Sequence, residues 1–169
     1  ARIVFVGPCA AKKLEASRRS VRSEVDFVLT FEELMGLFEA KEIDFNALPD
    51  DPNDNFDDAS GDGRGFAVSG GVAQAVVNAI HKLDPDREVK VASAQGLADC
   101  RKMMMMAKAG KYNGYLLEGM ACPGGCIAGA GTLADPARSA AMLTKYKAQA
   151  PMANALDTPY IENLEALKY

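Results

Sequence analysis

Short apolar runs alternate with helix-forming segments along most of this chain. The runs are rich in branched and aromatic side chains and lie at residues 3–6, 26–29, 89–94 and 112–121. Each of the first three is followed by a segment whose composition favours a helix. Strands that alternate with helices in this way form right-handed β-α-β units. The sequence therefore predicts an α/β fold with a mainly parallel sheet flanked by helices.

Two of the four cysteines directly follow predicted strands, Cys9 after the first and Cys122 after the last. Ligands of parallel sheets collect at the carboxyl ends of the strands, so we expect both cysteines to belong to one site. Cys9 also precedes a helix predicted for residues 10–19, whose first N–H groups and dipole favour a thiolate. Lys12 and Lys13, in the first turn of that helix, add positive charge.

The string EGMACPGGCIAGAG, residues 118–131, places Cys122 and Cys126 four residues apart with Pro-Gly-Gly between them. The glycines leave room for a bulky group and leave backbone N–H groups free to point at it. Zinc fits poorly, because the glycines clear a wide space and a fourth ligand is missing. Thiolates around a glycine-lined hollow suit iron–sulfur chemistry, although the clustered spacing of simple ferredoxins is absent.

Composition excludes several classes of partner. The net charge of -4, with Lys and Arg scattered, gives no support to a nucleic-acid partner. The apolar runs are too short for a membrane span, and no signal-peptide pattern is present. Four cysteines without such a signal favour metal or redox chemistry, with buried structural thiols as the alternative. We assign Cys100 to that alternative, because it lies inside a helix predicted for residues 97–109.

Helix starts are predicted at two further places. Thr30 and Glu33 form a capping box for a helix through about Lys41. Ser69 is a candidate N-cap for an amphipathic helix over residues 72–83.

The acidic stretch 49–65 is rich in Gly, Asn and Pro and predicts a long irregular loop. Part of it is similar to a calcium-binding loop, with Asp51, Asn53 and Asn55 in ligand positions. Phe56 replaces the required glycine, however, and no glutamate closes the frame at Asp62. A solvated loop is therefore the preferred interpretation.

Two strings together resemble the second and third signature motifs of the iron-only ([FeFe]) hydrogenases. They are GPCAAKKLE, residues 7–15, and the string at 118–131. Residues 27–51 resemble the segment that follows the second motif in that family, and residues 65–80 resemble its glycine-rich helix start. The resemblance runs in order from residue 1 to about residue 131.

The resemblance implies that residues 1–131 form an α/β lobe of a two-lobed catalytic domain, and that residues 132–169 form a C-terminal helical extension. The first signature motif, which supplies a fourth cluster ligand and a proton-relaying cysteine, is not found, and Cys100 is a poor substitute. The chain also starts without Met, inside a predicted strand. We therefore expect the upstream part of the catalytic domain to be missing.

The family's site is a [4Fe-4S] cubane joined through a cysteine to a two-iron unit that carries CO and cyanide. Carried over by position, the resemblance makes Cys9 and Cys122 cubane ligands and Cys126 the bridge between the two parts. It makes Lys12 the donor to a cyanide. It implies neighbouring roles for Met120, Phe66 and Val72, which pack around the two-iron unit, and for Pro8 and Ser69, which supply adjacent contacts. Gly7 stands where the best-known members have Met, which indicates a divergent branch.

The implied function is reversible conversion of protons and electrons to H2 by the parent protein, with this fragment inactive and without its cluster. Implied partners are an electron carrier such as ferredoxin, cluster maturation proteins and the remainder of the catalytic domain, in the cytoplasm. One alternative is a hydrogen or redox sensor that uses the same cluster. Another is a non-hydrogenase iron–sulfur relative acting in cluster assembly, against which Lys12 and Met120 argue because they serve only the two-iron unit.

Overall fold

The structure is a computed structural model, and it describes residues 1–18, 20–21, 24–49 and 58–161. The chain starts with two strand–helix units: β1 (Val4–Gly7), α1 (Ala11–Ser17), β2 (Phe27–Thr30) and α2 (Phe31–Ala40). The two strands pair in parallel along their full length. The predicted β-α-β unit is therefore confirmed at the start of the chain.

The capping box at the start of α2 is confirmed. The Thr30 hydroxyl accepts from the Glu33 N–H at 3.2 Å, and the Glu33 carboxylate accepts from the Thr30 N–H at 2.9 Å. These two bonds satisfy donors that have no partner inside the helix. Thr30 thus ends β2 and starts α2 without an intervening loop.

Helical structure begins earlier after the acidic stretch than the sequence predicts. Residues 50–57, with most of the calcium-like frame, lie outside the described residues. Helix α3 (Gly61–Arg64) and a 3-10 turn (Gly65–Ala67) follow, because the Ser60 hydroxyl caps α3 by accepting from the Gly63 N–H at 3.1 Å. The prediction of an irregular loop is therefore wrong for residues 61–65.

Asp62 is buried, not solvated, with 5% of its surface exposed. Its carboxylate accepts hydrogen bonds from the side-chain amides of Asn78 at 2.8 Å and Asn154 at 3.2 Å, and the Lys147 ammonium lies 3.9 Å away. Because a buried carboxylate needs such partners, this polar cluster fastens α3 to the segments around it.

Helix α4 (Gly71–Leu83) starts at a different cap from the one predicted. Gly70 occupies the N-cap position with a left-handed φ of 88°, and no side chain of its own caps the helix. Ser69 lies one residue too early, so its assignment as the N-cap is wrong. A left-handed backbone at this turn favours glycine.

A second parallel pair follows, made of β3 (Lys90–Gln95) and β4 (Tyr115–Met120), which are joined by α5 (Leu97–Lys108). Strand direction and flanking helices agree with the predicted α/β class. Among the described residues, however, the strands form two separate two-stranded sheets and not one continuous sheet.

The C-terminal part contains α6 (Pro136–Ala148), capped by the Asp135 carboxylate, and a 3-10 turn at Ala155–Asp157. Arg64 joins α3 to α6 by donating to the Tyr146 carbonyl at 2.9 Å and lying over the Tyr146 ring. The final helix predicted from about Tyr160 falls mostly outside the described residues. The division of the chain at residue 131 remains a prediction.

Few apolar side chains are buried in the described part of the chain, namely Ala73, Ala94 and Met103. Leu83 and Leu97 are each 75% exposed. Of the helices that the structure describes, none combines the length and apolar character needed to cross a membrane.

Candidate metal-cluster site

The segments that carry Cys9 and Cys126 lie side by side. The Gly131 N–H donates to the Pro8 carbonyl at 3.0 Å, next to Cys9. A methyl group on Gly131 would lie 2.5 Å from Thr30 Cβ, so only glycine allows this approach. The end of β1, the end of β2 and the segment after Cys126 therefore converge, although β1 and β4, which precede Cys9 and Cys122, belong to separate sheets.

The electrostatics of Cys126 connect all three motif thiols. Cys126 is exposed as a residue, but partial loss of water around its thiol is the largest cause that raises its pKa, and the neighbouring Cys9 and Cys122 raise it further. The Lys12 ammonium acts in the opposite direction. Because charge interactions weaken with distance, the same four side chains must share one region of the molecule.

The described residues contain no group of three His, Cys, Asp or Glu side chains close enough to hold a single metal ion. A multi-iron cluster spreads its thiolates around a larger body than one ion does. Thiolates are the usual ligands of iron–sulfur clusters, and Cys9, Cys122 and Cys126 supply three. The donor set is compatible with the implied cluster.

The two lysines of the second motif have different partners. The Lys12 ammonium contacts both oxygens of Glu15, at 3.0 and 2.7 Å. Lys13 instead donates to the Val28 carbonyl at 3.0 Å and to the Glu33 carboxylate. Its hydrogen bond is the largest cause that lowers the pKa of Glu33. Lys13 thus joins α1 to the second strand–helix unit, while Lys12 accompanies the thiols.

Gly7 is buried, and the ring of Phe5 covers it. A Cβ placed on Gly7 would lie 2.7 Å from Cε1 of that ring. Aromatic side chains can cover a glycine in a strand and replace the packing that a side chain would supply. The ring of Phe5, two residues earlier in β1, therefore occupies the space that a side chain at position 7 would fill.

The loop of residues 122–126, here the cysteine loop, does not present free N–H groups at its two central glycines. The Gly124 N–H donates to the Gln95 side-chain oxygen at 2.6 Å, and the Gly125 N–H donates to the Cys122 carbonyl at 3.0 Å. The expectation that these donors point at a bound group is therefore wrong. They hold the loop in shape and fix it to the end of β3.

The other predicted site residues border the cysteine loop. The Ser69 N–H donates to the Gly124 carbonyl at 3.1 Å, and Val72 lies in the first turn of α4. Phe66 precedes Ala67, whose carbonyl approaches Gly125, and is 47% exposed. Their contacts with a cofactor remain predictions.

Met120 ends β4 and is half-buried. Its carbonyl accepts from the Gly96 N–H at 2.8 Å. The Cys100 thiol, also half-buried, lies 3.6 Å from the carbonyl oxygens of Ala94 and Met120. These contacts belong to the packing of α5 on the second sheet and agree with a structural role for Cys100.

An apolar cavity of about 460 Å³ opens beside Cys126. Its lining combines the end of β1, one side of α2 and the chain after Cys126, and includes Pro8, Phe31, Leu34, Met35, Cys126 and Leu133. Cys126 therefore borders an almost entirely apolar surface, which agrees with partial loss of water as the main cause of its raised pKa.

Sequence reasoning missed two residues that shape the site, Gln95 and Glu118. Gln95 fixes the cysteine loop, and the buried Glu118 carboxylate holds the start of α4. Their positions in the sequence could have indicated them, because both residues lie at or near the carboxyl end of a predicted strand.

Comparison with known proteins supports the motif resemblance. The family model for the C-terminal domain of the iron-only hydrogenase large subunit matches residues 1–130. The chain is 32% identical over 163 residues to the NADP-reducing hydrogenase subunit HndD of Solidesulfovibrio fructosivorans, covering 76% of this chain and 27% of that protein. It is 32% identical over 159 residues to the periplasmic [Fe] hydrogenase large subunit of Nitratidesulfovibrio vulgaris, covering 76% and 38%.

A relative named for a different role is the cytosolic Fe-S cluster assembly factor narfl of Danio rerio. It is 28% identical over 166 residues, which cover 77% of this chain and 40% of that protein. The chain thus spans well under half the length of these curated relatives.

The fold matches the solved structure of the [FeFe]-hydrogenase HydA(deltaEFG) with a TM-score of 0.63 and 21% identity, covering 98% of this chain and 58% of that one. Motifs, fold and family match agree. This chain belongs to the family defined by the C-terminal domain of the iron-only hydrogenase large subunit.

Proposed function

We propose that this chain is part of an enzyme that interconverts protons, electrons and H2 according to 2 H⁺ + 2 e⁻ ⇌ H2. The observation that carries the proposal is the bond from the Gly131 N–H to the Pro8 carbonyl, which joins the Cys126 segment to the Cys9 segment, with Cys122 and Lys12 near enough to affect the pKa of Cys126. Membership of the hydrogenase family supports the same reaction class.

In this proposal the thiolates of Cys9 and Cys122 hold a four-iron cubane, and Cys126 joins it to a two-iron unit with CO and cyanide ligands. When bound, this group supplies the redox chemistry of the reaction. The ammonium of Lys12 supplies a positive, hydrogen-bonding neighbour for an anionic ligand of the group. It can turn toward that ligand from Glu15, with which it forms a partly exposed ion pair.

The apolar residues have a separate role. Met120, Phe66 and Val72 exclude water around the two-iron unit, and the backbone near Pro8 and Ser69 completes the enclosure. A dry surrounding strengthens each charged contact inside it. Of these residues, Pro8 also lines the apolar cavity beside Cys126.

The remaining parts of the activity belong to the whole protein. A fourth cubane ligand and a proton-relaying cysteine would come from a part of the catalytic domain outside this chain, so the fragment by itself would be inactive. Electrons would come from a carrier such as ferredoxin, and maturation proteins would insert the cluster. We place the protein in the cytoplasm.

The test is an anaerobic assay of H2 production. The full-length protein that carries this chain is produced with cluster maturation proteins and supplied with reduced methyl viologen. We expect H2 from the wild type, none from Cys126→Ser, and wild-type rates from the matched control Cys100→Ser. An intact cluster without any H2 would refute the proposal, and very slow turnover would favour the sensor alternative that Gly7 leaves open.

A cluster-assembly role is the second candidate, because the chain is 28% identical to the assembly factor narfl. Lys12 and Met120, which in hydrogenases serve only the two-iron unit, favour the enzyme. Infrared spectra of the matured protein separate the two. Bands of CO and cyanide support the hydrogenase, whereas an iron–sulfur protein without them supports the assembly role.

A further inference from the structure

Glu118 is a buried carboxylate that none of the roles above uses. It lies in β4 with 7% of its surface exposed, and none of the ion pairs among the described residues involves it. Burial of an ionised carboxylate is costly unless hydrogen bonds replace its water. A residue of this kind therefore needs a specific set of donors.

Those donors are backbone N–H groups at the start of α4. Glu118 accepts from the N–H groups of Gly70, Val72 at 3.1 Å and Ala73 at 3.0 Å. N–H groups in the first turn of a helix have no acceptor inside the helix, and the helix dipole favours a negative charge there. The carboxylate of Glu118 thus provides the cap that Ser69 does not provide, from a strand more than 40 residues away in sequence.

The turn that Glu118 holds is also attached to the cysteine loop. The Ser69 N–H donates to the Gly124 carbonyl at 3.1 Å. A methyl group on Gly125 would lie 2.5 Å from the Ser69 nitrogen, so the two backbones are in direct contact. Any shift of the turn must therefore move the cysteine loop or break this contact.

These contacts close a ring. The ring runs along the chain from Glu118 to Gly124, crosses by the hydrogen bond to Ser69, and returns from Gly70 to the Glu118 carboxylate. Met120 and Cys122 lie on the first part of this ring. Loss of the Glu118 hydrogen bonds releases the start of α4 from β4. Ser69 then no longer anchors the cysteine loop to the strand, and Gln95 remains as its anchor.

We propose that Glu118 is a positioning residue, whose carboxylate fixes the start of α4 against β4 and thereby sets the geometry of the cysteine loop for cluster binding. The cluster's identity in this inference rests on the proposed function. The mechanical coupling of Glu118 to the loop does not.

The test compares Glu118→Gln with Glu88→Gln in the full-length protein. Gln keeps the size of Glu118 but removes its charge, and its amide nitrogen cannot accept from the helix. Glu88 is a matched control because its side chain is 80% exposed. In the metal-free protein, hydrogen exchange is followed by mass spectrometry for peptides that cover 69–74, 121–126 and 97–108.

We expect exchange at 69–74 and 121–126 to become about tenfold faster in Glu118→Gln, the effect of losing charge-assisted hydrogen bonds on a local opening. Exchange at 97–108 and throughout Glu88→Gln should stay at the wild-type rate. After reconstitution with iron and sulfide, the electron paramagnetic resonance spectrum of the reduced four-iron cluster should shift in Glu118→Gln only. Unchanged exchange at 121–126, or equal acceleration of all peptides, overturns the inference.

If Glu118→Gln does not fold, hydrogen exchange of the wild-type protein still tests the inference. Protection of the Val72 and Ala73 amides comparable to that of Gln74 supports the inference, and free exchange of the first two overturns it. The readouts also separate the two proposals. Faster exchange at both 69–74 and 121–126, in a protein whose intact cluster makes no H2, refutes the hydrogenase function alone. H2 production without faster exchange at 121–126 refutes the role of Glu118 alone.

Discussion

The acid–base behaviour of Cys126 reflects both the cavity and the neighbouring thiols. Partial loss of water around the thiol and the proximity of Cys9 and Cys122 raise its pKa, while Lys12 lowers it. A thiolate reacts with alkylating agents and a thiol does not, so the reactivity of Cys126 reports the balance of these effects.

We therefore expect Lys12→Gln to slow alkylation of Cys126 in the metal-free protein at every pH below the pKa of the thiol. Removal of the ammonium raises the pKa of Cys126 further, which lowers the fraction of thiolate at a given pH. Iodoacetamide labelling across a pH series, read by mass spectrometry, measures the effect. Lys13→Gln is the matched control, because Lys13 is engaged with Val28 and Glu33. A profile that shifts to lower pH in Lys12→Gln would contradict the electrostatic assignment.

At the scale of elements, the junction between β2 and α2 determines where the chain after Cys126 can lie. Thr30 ends the strand, caps the helix and contacts Gly131. The same region is fixed to β1 through the bond from Gly131 to Pro8. The position of Cys126 thus depends on close backbone packing and not only on its own motif.

Gly131→Ala should destabilise the protein by about 1–3 kcal/mol, the usual cost of inserting a methyl group into filled space. The added methyl would lie 2.5 Å from Thr30 Cβ and 2.6 Å from its Cγ2. Urea unfolding followed by circular dichroism provides the measurement. Gly36→Ala is the control, because Gly36 lies within α2 with nothing inside 4 Å of the new methyl, and it should stabilise by about 0.5–1 kcal/mol. Equal effects of the two substitutions would contradict the packing argument.

At the scale of the whole molecule, the described residues bury little apolar surface of their own. Their strands form two separate pairs, and many large apolar side chains, from Val4 and Phe27 in the first pair to Leu97 beside the second, are exposed. Two-stranded sheets are marginally stable without further packing. Exposed apolar surface on this scale is typical of a part that packs against other protein.

Produced as residues 1–169 alone, the chain should bind the dye ANS and unfold over a broad temperature range, because its apolar faces remain in contact with water. In the full-length protein, dye binding should fall and unfolding should sharpen. Fluorescence and calorimetry of the two forms test this. A sharp transition without dye binding in the short form would show that it stabilises itself.

Whether a feature could be predicted from the sequence depended on how far apart in the chain its interacting residues lie. The Thr30–Glu33 capping box was predictable because its donors and acceptors lie three residues apart. Ser69 was wrongly assigned as a cap because a left-handed Gly70 moves the helix start and a carboxylate from β4 supplies the acceptor. The prediction that the Gly124 N–H is free was wrong for the same reason, because its acceptor, the Gln95 side chain, lies 29 residues away in sequence.

The sequence by itself determined the two cysteine motifs and the alternation of strands and helices, which follows from local propensities. It also determined the parallel pairing, because a strand that is joined to the next by a crossover helix pairs with it in parallel. Only the tertiary structure decided that the strands form two pairs, that Asp62 is buried, that Glu118 caps α4 and that Gln95 holds the cysteine loop. Those features depend on how elements that are far apart in sequence pack against one another. Such contacts are stabilised by close packing and by hydrogen bonds between distant segments, and both exist only once those segments have come together.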